Sequence, residues 1–226
     1  MFRKSLLVIA TTTLLAAAAH SQTVLYSETF TSQDGKGKFG TDPVDTTGVD
    51  WAVDVSNGEF TAESDFFGVN SGVFEAQDVD AQGTDLVVWT SPSFNIQGYS
   101  SLEFSFDAFA AGDFEADTDN FIVTFTIDGS TSEDLFTATV DEAAPGDPMF
   151  FGSTELTDSL ANFEESILGT GTSAQISIFI GNNAGSELQG FDNLSVTGVP
   201  EPSAALLLVA ALAGTLLFLP RRRAQA

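Results

Sequence analysis

Apolar and polar residues alternate along most of this chain. Between 101 and 109, Leu102, Phe104 and Phe106 fall on one side, and Ser101, Glu103, Ser105 and Asp107 on the other. A period of two predicts a strand with one buried face. Phe121, Val123, Phe125 and Ile127 repeat the pattern against Thr124 and Thr126, and Asp128-Gly129 then supplies a turn. Ile176, Ile178 and Ile180 predict a third strand, Leu194 and Val196 a fourth. Shorter runs predict strands over 24–30, 51–55, 59–62, 72–76, 86–94 and 135–140. Helical spacing shows only at 156–168, which predicts a turn or two of helix. About ten half-apolar strands must bury their faces against one another, and two packed antiparallel sheets do this. Spacing alone does not separate a jelly roll from an immunoglobulin-like sandwich or a barrel.

The two ends break the pattern. Arg3 and Lys4 precede an apolar stretch over 6–19, with small residues at Ala19 and Ser21. That layout predicts a secretory signal helix over 1–21, cleaved after Ser21, and hence export by the Sec machinery. At the other end, a short linker over 197–203 leads to an apolar run over 204–219, followed by Arg221, Arg222 and Arg223. Sixteen residues at about 1.5 Å each span roughly 24 Å, the short end for a membrane-crossing helix. The arginines snorkel and stay cytoplasmic. The expected organisation is a signal peptide (1–21), a β domain (22–198) and a sorting and anchor segment (199–226).

Charge narrows the partners. The chain has 32 acidic residues and 7 lysines and arginines. Within the β domain only Lys36 and Lys38 oppose the acids. This argues strongly against nucleic acid or anionic lipid as a partner and suits a soluble extracellular protein screened by salt or divalent cations. Cysteine is absent, and the single histidine, His20, lies in the signal segment. Thiol, Ser-His-Asp and histidine-metal chemistry are therefore excluded from the domain. Carboxylates, two lysines and oxygen-ligated metals remain.

Calcium is the cofactor this inventory suits, because it takes six to eight oxygen ligands on a turning backbone. Asp78, Asp80, Gln82 and Asp85, with Gly83 free to turn, read as the opening of a calcium loop. Asp113, Glu115, Asp117, Asp119 and Asn120 form an equally dense cluster, in which Asp117 and Asp119 are the candidate ligands. Asp192 is in phase with Leu194 and Val196 and is expected to face the core, while Glu28 is in phase with Tyr26 and Phe30. If first and last strands are neighbours, a calcium ion between Glu28 and Asp192 would neutralise both. Solvated acids on exposed turns, and carboxylates capping strand ends, remain open readings at all these positions. Paired carboxylates also serve glycoside hydrolases and lyases, but in so acidic a chain pairing is uninformative. Trp51, Trp89 and Tyr99 are candidates for a glycan-stacking platform, with burial in the core as the other reading.

Two resemblances add to this. Val199-Pro200-Glu201-Pro202-Ser203, the apolar run and the terminal arginines resemble the PEP-CTERM sorting signal of Gram-negative bacteria. The resemblance implies that an exosortase-type membrane protease recognises Pro200, Glu201 and Pro202 and removes the helix, leaving the protein at the cell surface or outside. Gly72 to Asp80, Val88-Trp89-Thr90-Ser91-Pro92, Gly112 to Asn120 and Gly190-Phe191-Asp192-Asn193-Leu194-Ser195-Val196 are similar to jelly-roll modules related in layout to MAM, laminin-G-like and carbohydrate-binding sandwiches. That resemblance implies an all-β, antiparallel two-sheet jelly roll that binds or displays, with a structural calcium. The combined expectation is a non-enzymatic, exported surface or matrix protein with a structural, adhesive or glycan-associated role. A carbohydrate-binding module acting on extracellular polysaccharide is the alternative.

Overall fold

A computed structural model of the chain describes residues 22–81 and 85–201. The expected signal peptide, the motif residue Pro202, the apolar run and Arg221, Arg222 and Arg223 lie outside the described residues, as do Gln82 and Gly83. Among the described residues there are fifteen strands and no helix.

The strands follow the chain as β1 (Thr23–Glu28), β2 (Gly37–Phe39), β3 (Ala52–Asp54), β4 (Phe66–Asn70) and β5 (Val73–Gln77). Next come β6 (Val87–Thr90), β7 (Phe94–Asn95), β8 (Tyr99–Ala111), β9 (Asn120–Ile127) and β10 (Thr131–Val140). The last are β11 (Met149–Phe151), β12 (Thr154–Glu155), β13 (Ala161–Leu168), β14 (Ser173–Gly181) and β15 (Leu188–Pro200). They form two antiparallel sheets. A seven-stranded sheet runs β13-β8-β15-β5-β4-β2, with β1 also on β15. An eight-stranded sheet runs β12-β11-β10-β9-β14-β6-β3, with β7 on β14. First and last strands are neighbours, with Glu28 opposite Leu194.

The alternating runs bury the faces they predict. Leu102, Phe104 and Phe106 from β8 meet Phe121, Val123 and Phe125 from β9 and Ile176, Ile178 and Ile180 from β14, all essentially inaccessible. At the centre Phe30 packs edge-on against Trp89, and Phe74 stacks on Phe191 at 4.9 Å. Aromatic pairs in these geometries add to the burial of their area.

Four expectations change. Residues 161–168 are strand, not helix: Phe163 lies opposite Phe106 and Ile167 opposite Leu102. Their separation of four fits either period, and the partner strand decides. Residues 59–62 are not a strand, because Asp65 takes the amides of Thr61 and Ala62 on its Oδ2 at 2.7 and 2.6 Å and folds the segment back. Residues 197–200 are not linker. They continue β15, with Pro200 opposite Tyr99 on β8, and the Glu201 amide donates to the Gly98 carbonyl at 2.8 Å. Asp192 does not face the core. The register shifts between Asp192 and Ser195, and Asn193 adopts φ 52. This bulge inserts an extra residue, so Phe191 and Leu194 both point inward while Asp192 turns to the outer face opposite Asp107.

Candidate metal centre

At one end of the sandwich two loops bring three carboxylates together. The loop after β8 is anchored by Phe114, which is buried and donates its amide to the Asp147 carbonyl at 3.3 Å. It closes on itself: the Thr118 and Asp119 amides donate to the Glu115 carbonyl, and Asp119 Oδ2 accepts the Glu115 amide at 2.6 Å. The loop after β14 ends at Glu187, whose Oε2 accepts the Asn183 and Ala184 amides at 2.9 and 3.0 Å. Ligand oxygens of Glu115, Asp119 and Glu187 then lie within 4.8 Å of one another. Among the described residues this is the group of three acids close enough to share an ion.

The support beneath is a buried amide network. Asn182 accepts the Val79 amide and donates to the Ala76 carbonyl and to Gln189 Oε1. Gln189 in turn donates to the Asn120 carbonyl at 3.2 Å. β5, β9 and the ends of β14 and β15 are thereby held in register beside the three acids, with the network itself fully buried.

Burial without a counter-charge raises these acids. Asp119 is 5 % exposed and Glu187 1 %. Desolvation pushes Asp119 up to about 7, with the Glu187 charge adding to it. Glu187 is raised by the same burial and by Glu115 and Asp78. The two lysines are committed elsewhere. Lys36 pairs with Asp45 at 2.8 Å, and Lys38 donates to the carbonyls of Gly40 and Asp42. An all-oxygen donor set on turning backbone suits a hard cation, calcium above all, with backbone carbonyls and water completing the shell.

Of the expected ligands, only Asp119 joins this group. Asp117 is exposed on the same loop. Asp78 and Asp80 both hold left-handed backbone, at φ 50 and 51. Burial raises both, and Asp65 bears on each of them. Asp85 is exposed, and these three do not converge as a ligand set. Glu28 lies opposite Leu194, two residues from Asp192, and Asp192 is raised by burial first, then by the charges of Asp107 and Glu28. Glu28 Oε1, however, already caps the end of β1, accepting the amides of Thr29 and Phe30 and the side chain of Gln33 at 2.9–3.0 Å. Asp192 Oδ1 is buried without a partner. Glu187 was not a candidate, and nothing local marks it; its partners lie about seventy residues away in sequence.

Of the two readings of Trp51 and Trp89, burial in the core is the one the structure takes, and no platform forms from them. Trp51 is 2 % exposed and bonds Gln33 Oε1 through its indole N–H, and Trp89 is fully buried. Tyr99 is half-buried beside Gly198. An accessible aromatic pair lies elsewhere: Phe39 and Phe66 stack across β2 and β4 at 5.6 Å. Phe39 also lines an open cleft of about 340 Å³ with Thr41, Asp42 and Glu63.

No protein-family model matches the sequence, and neither does any curated protein. Solved structures with a similar chain path include a cyclase from Fischerella sp. TAU, at 10 % identity, covering 81 % of this chain and 100 % of that one, TM-score 0.49. The K3 cleaved adhesin domain of Lys-gingipain from Porphyromonas gingivalis W83 is similar at 13 % identity, 78 % and 99 % coverage, TM-score 0.41. The N-terminal cellulose-binding domain of Cellulomonas fimi β-1,4-glucanase C is similar at 11 % identity, 67 % and 90 % coverage, TM-score 0.38.

Proposed function

We propose that the chain is an exported, non-enzymatic protein of a Gram-negative cell surface or extracellular matrix, whose sandwich is held by calcium. Sec would deliver it, the C-terminal apolar run would tether it, and an exosortase-type protease would process the segment around Pro200, Glu201 and Pro202. The observation that carries the calcium reading is the meeting of buried Asp119 and Glu187 with no lysine or arginine to neutralise them. Glu115, Asp119 and Glu187 would hold the ion. It would neutralise the group and cross-link the loops after β8 and β14, ordering an end of the domain whose acids otherwise repel. Melting of the 22–201 fragment with calcium and with chelator tests this. A rise of several degrees supports it, and an unchanged midpoint ends it.

A second reading, binding of extracellular polysaccharide, is favoured by Phe39, which lines the cleft and stacks on Phe66. An aromatic face beside Thr41, Asp42 and Glu63 offers a sugar both a stacking surface and hydroxyl acceptors. Affinity electrophoresis in polysaccharide gels, comparing the intact domain with Phe39→Ala, tests it. Retardation lost in the variant supports the cleft. Equal retardation of both, or none, counts against it.

A further inference from the structure

The sandwich is electrically polarised along its length, and its polarity matches the place where the chain leaves it. β15 ends at Pro200, and the Glu201 amide is hydrogen-bonded to Gly98. The strand ends and turns around this exit are 22–24, 95–99, 128–130, 169–173 and 199–201. They carry two carboxylates, Asp128 and Glu201. Asp128 is engaged through its Oδ1, which accepts the amides and hydroxyls of Thr172 and Ser173. Val24, among the described residues the most exposed large apolar side chain at 63 %, stands here opposite Thr197, and Gln97 and Gly98 in the neighbouring turn are exposed too. The loops at the other end, in their described residues 78–81, 85–86, 112–119, 141–148 and 182–187, carry eleven carboxylates and no basic residue.

We infer that the exit end is a membrane-apposed surface: the sandwich stands upright on the bilayer that carries its own apolar run, with the acidic loops directed away. This rests on the reading of residues 204–219 as a membrane span. Two features make a lipid surface the occupant. The first is chain length: only Pro202 and Ser203 lie between Glu201 and the start of the run at Ala204, and the three steps reach at most about 10 Å. With Glu201 fixed to Gly98, the domain has no slack to move off the surface. The second is charge. Anionic headgroups repel the acidic loops, and that repulsion dies away within a Debye length of about 8–10 Å. The thirteen residues of β15, at about 3.3 Å each, hold the acidic end roughly 40 Å from the exit. Any tilt that lowers the loops toward the lipid meets repulsion, whereas the nearly uncharged exit end meets none.

The chain has no cysteine, so single labels report position cleanly. Full-length chain bearing Gln97→Cys or Ala143→Cys, each with one fluorophore, is reconstituted into vesicles of phosphatidylethanolamine and phosphatidylglycerol containing a headgroup nitroxide. Flotation in a density gradient first reads insertion. The label on the Gln97→Cys chain is expected to lose most of its emission, and the label on the Ala143→Cys chain to keep its own. Equal quenching at the two positions, or quenching only at Ala143→Cys, overturns the upright geometry while leaving the membrane span standing. Failure to float overturns both. Protection of the Gln97→Cys label by an added membrane protein, with none by lipid alone, would assign the surface to a protein partner and overturn the lipid assignment.

Discussion

Asp119 and Glu187 bring buried carboxylate oxygens within 4.8 Å of one another from two loops, and among the described residues the two lysines are bonded elsewhere. Such a pair is stable in one of two ways. Either it retains a proton, or a cation replaces the proton.

The pH dependence of the metal-free domain follows. Asp119 titrates near 7 in the fold against an ordinary value of 3.8, and Glu187 is raised as well. Between about pH 4 and 7 the folded chain therefore keeps protons that the unfolded chain has released, and stability falls as pH rises through that window. A loss on the order of 2 kcal/mol corresponds to roughly 4–8 °C in Tm for a domain of this size. Scanning calorimetry in chelator is expected to show a lower midpoint at pH 8 than at pH 5. Calcium should raise the midpoint more at pH 8 than at pH 5, because it binds the ionised acids. A midpoint in chelator that rises from pH 5 to pH 8 would contradict this account.

Replacing the acids by their amides separates charge from shape. Asp119→Asn and Glu187→Gln keep the volume and remove the repulsion. In chelator at pH 8 the double variant is expected to melt at or above the parent, and its response to calcium should vanish. Asp117→Asn, on the same loop but exposed, should leave the calcium response intact. A double variant that still shifts with calcium would move the ion to another site, with Glu28 and Asp192 next in line.

The bulge at Asn193 gives a backbone test. Its φ of 52 lies in the left-handed region, where a β-branched residue is strained by about 1–2 kcal/mol. Asn193 Nδ2 also donates to Asp107 Oδ2 at 2.7 Å. Asn193→Val is expected to lose both contributions, and Asn193→Gly only the hydrogen bond. Urea midpoints in the order parent, Gly, Val would bear this out. A Val variant as stable as the Gly variant would mean that the bulge relaxes.

The same bulge shows where sequence reading stops. β8, β9 and β14 were legible because each is a long strand whose alternation holds over most of its length, failing only where outward positions such as Phe109 and Thr124 are covered as well. Asp192 was misplaced because its phase was carried back from Leu194 across an extra residue that alternation cannot register. β13 was misread because Phe163 and Ile167 are spaced for a helix as well as for a strand, and only pairing with Phe106 and Leu102 decides. At the candidate metal centre the loop carrying Asp119 stood out by its density of acids. Glu187 is a single acid in a Gly-, Asn- and Ser-rich turn, and its meaning comes from the sheet order that lays β15 against β8. The tryptophans were ambiguous in the chain because amphipathic aromatics serve cores and platforms alike, and here Phe30 and Phe74 enclose both.

The end of β15 makes a last prediction. Val199 and Pro200 pair with β8, and the Glu201 amide closes the strand on Gly98. A fragment of 22–198, which stops at the boundary expected from the sequence, lacks this last pairing and frees the Tyr99 end of β8. It is expected to be less stable than the 22–201 fragment by about 1–2 kcal/mol, the loss of one or two backbone hydrogen bonds and some packing. Hydrogen exchange should show the matching local effect, with faster exchange at the start of β8 and unchanged protection in β9 and β14. Equal stability of the two fragments would mean that residues 199–201 lie on the sheet without contributing to it. The upright geometry would then lose the anchor at Gly98 that removes its slack.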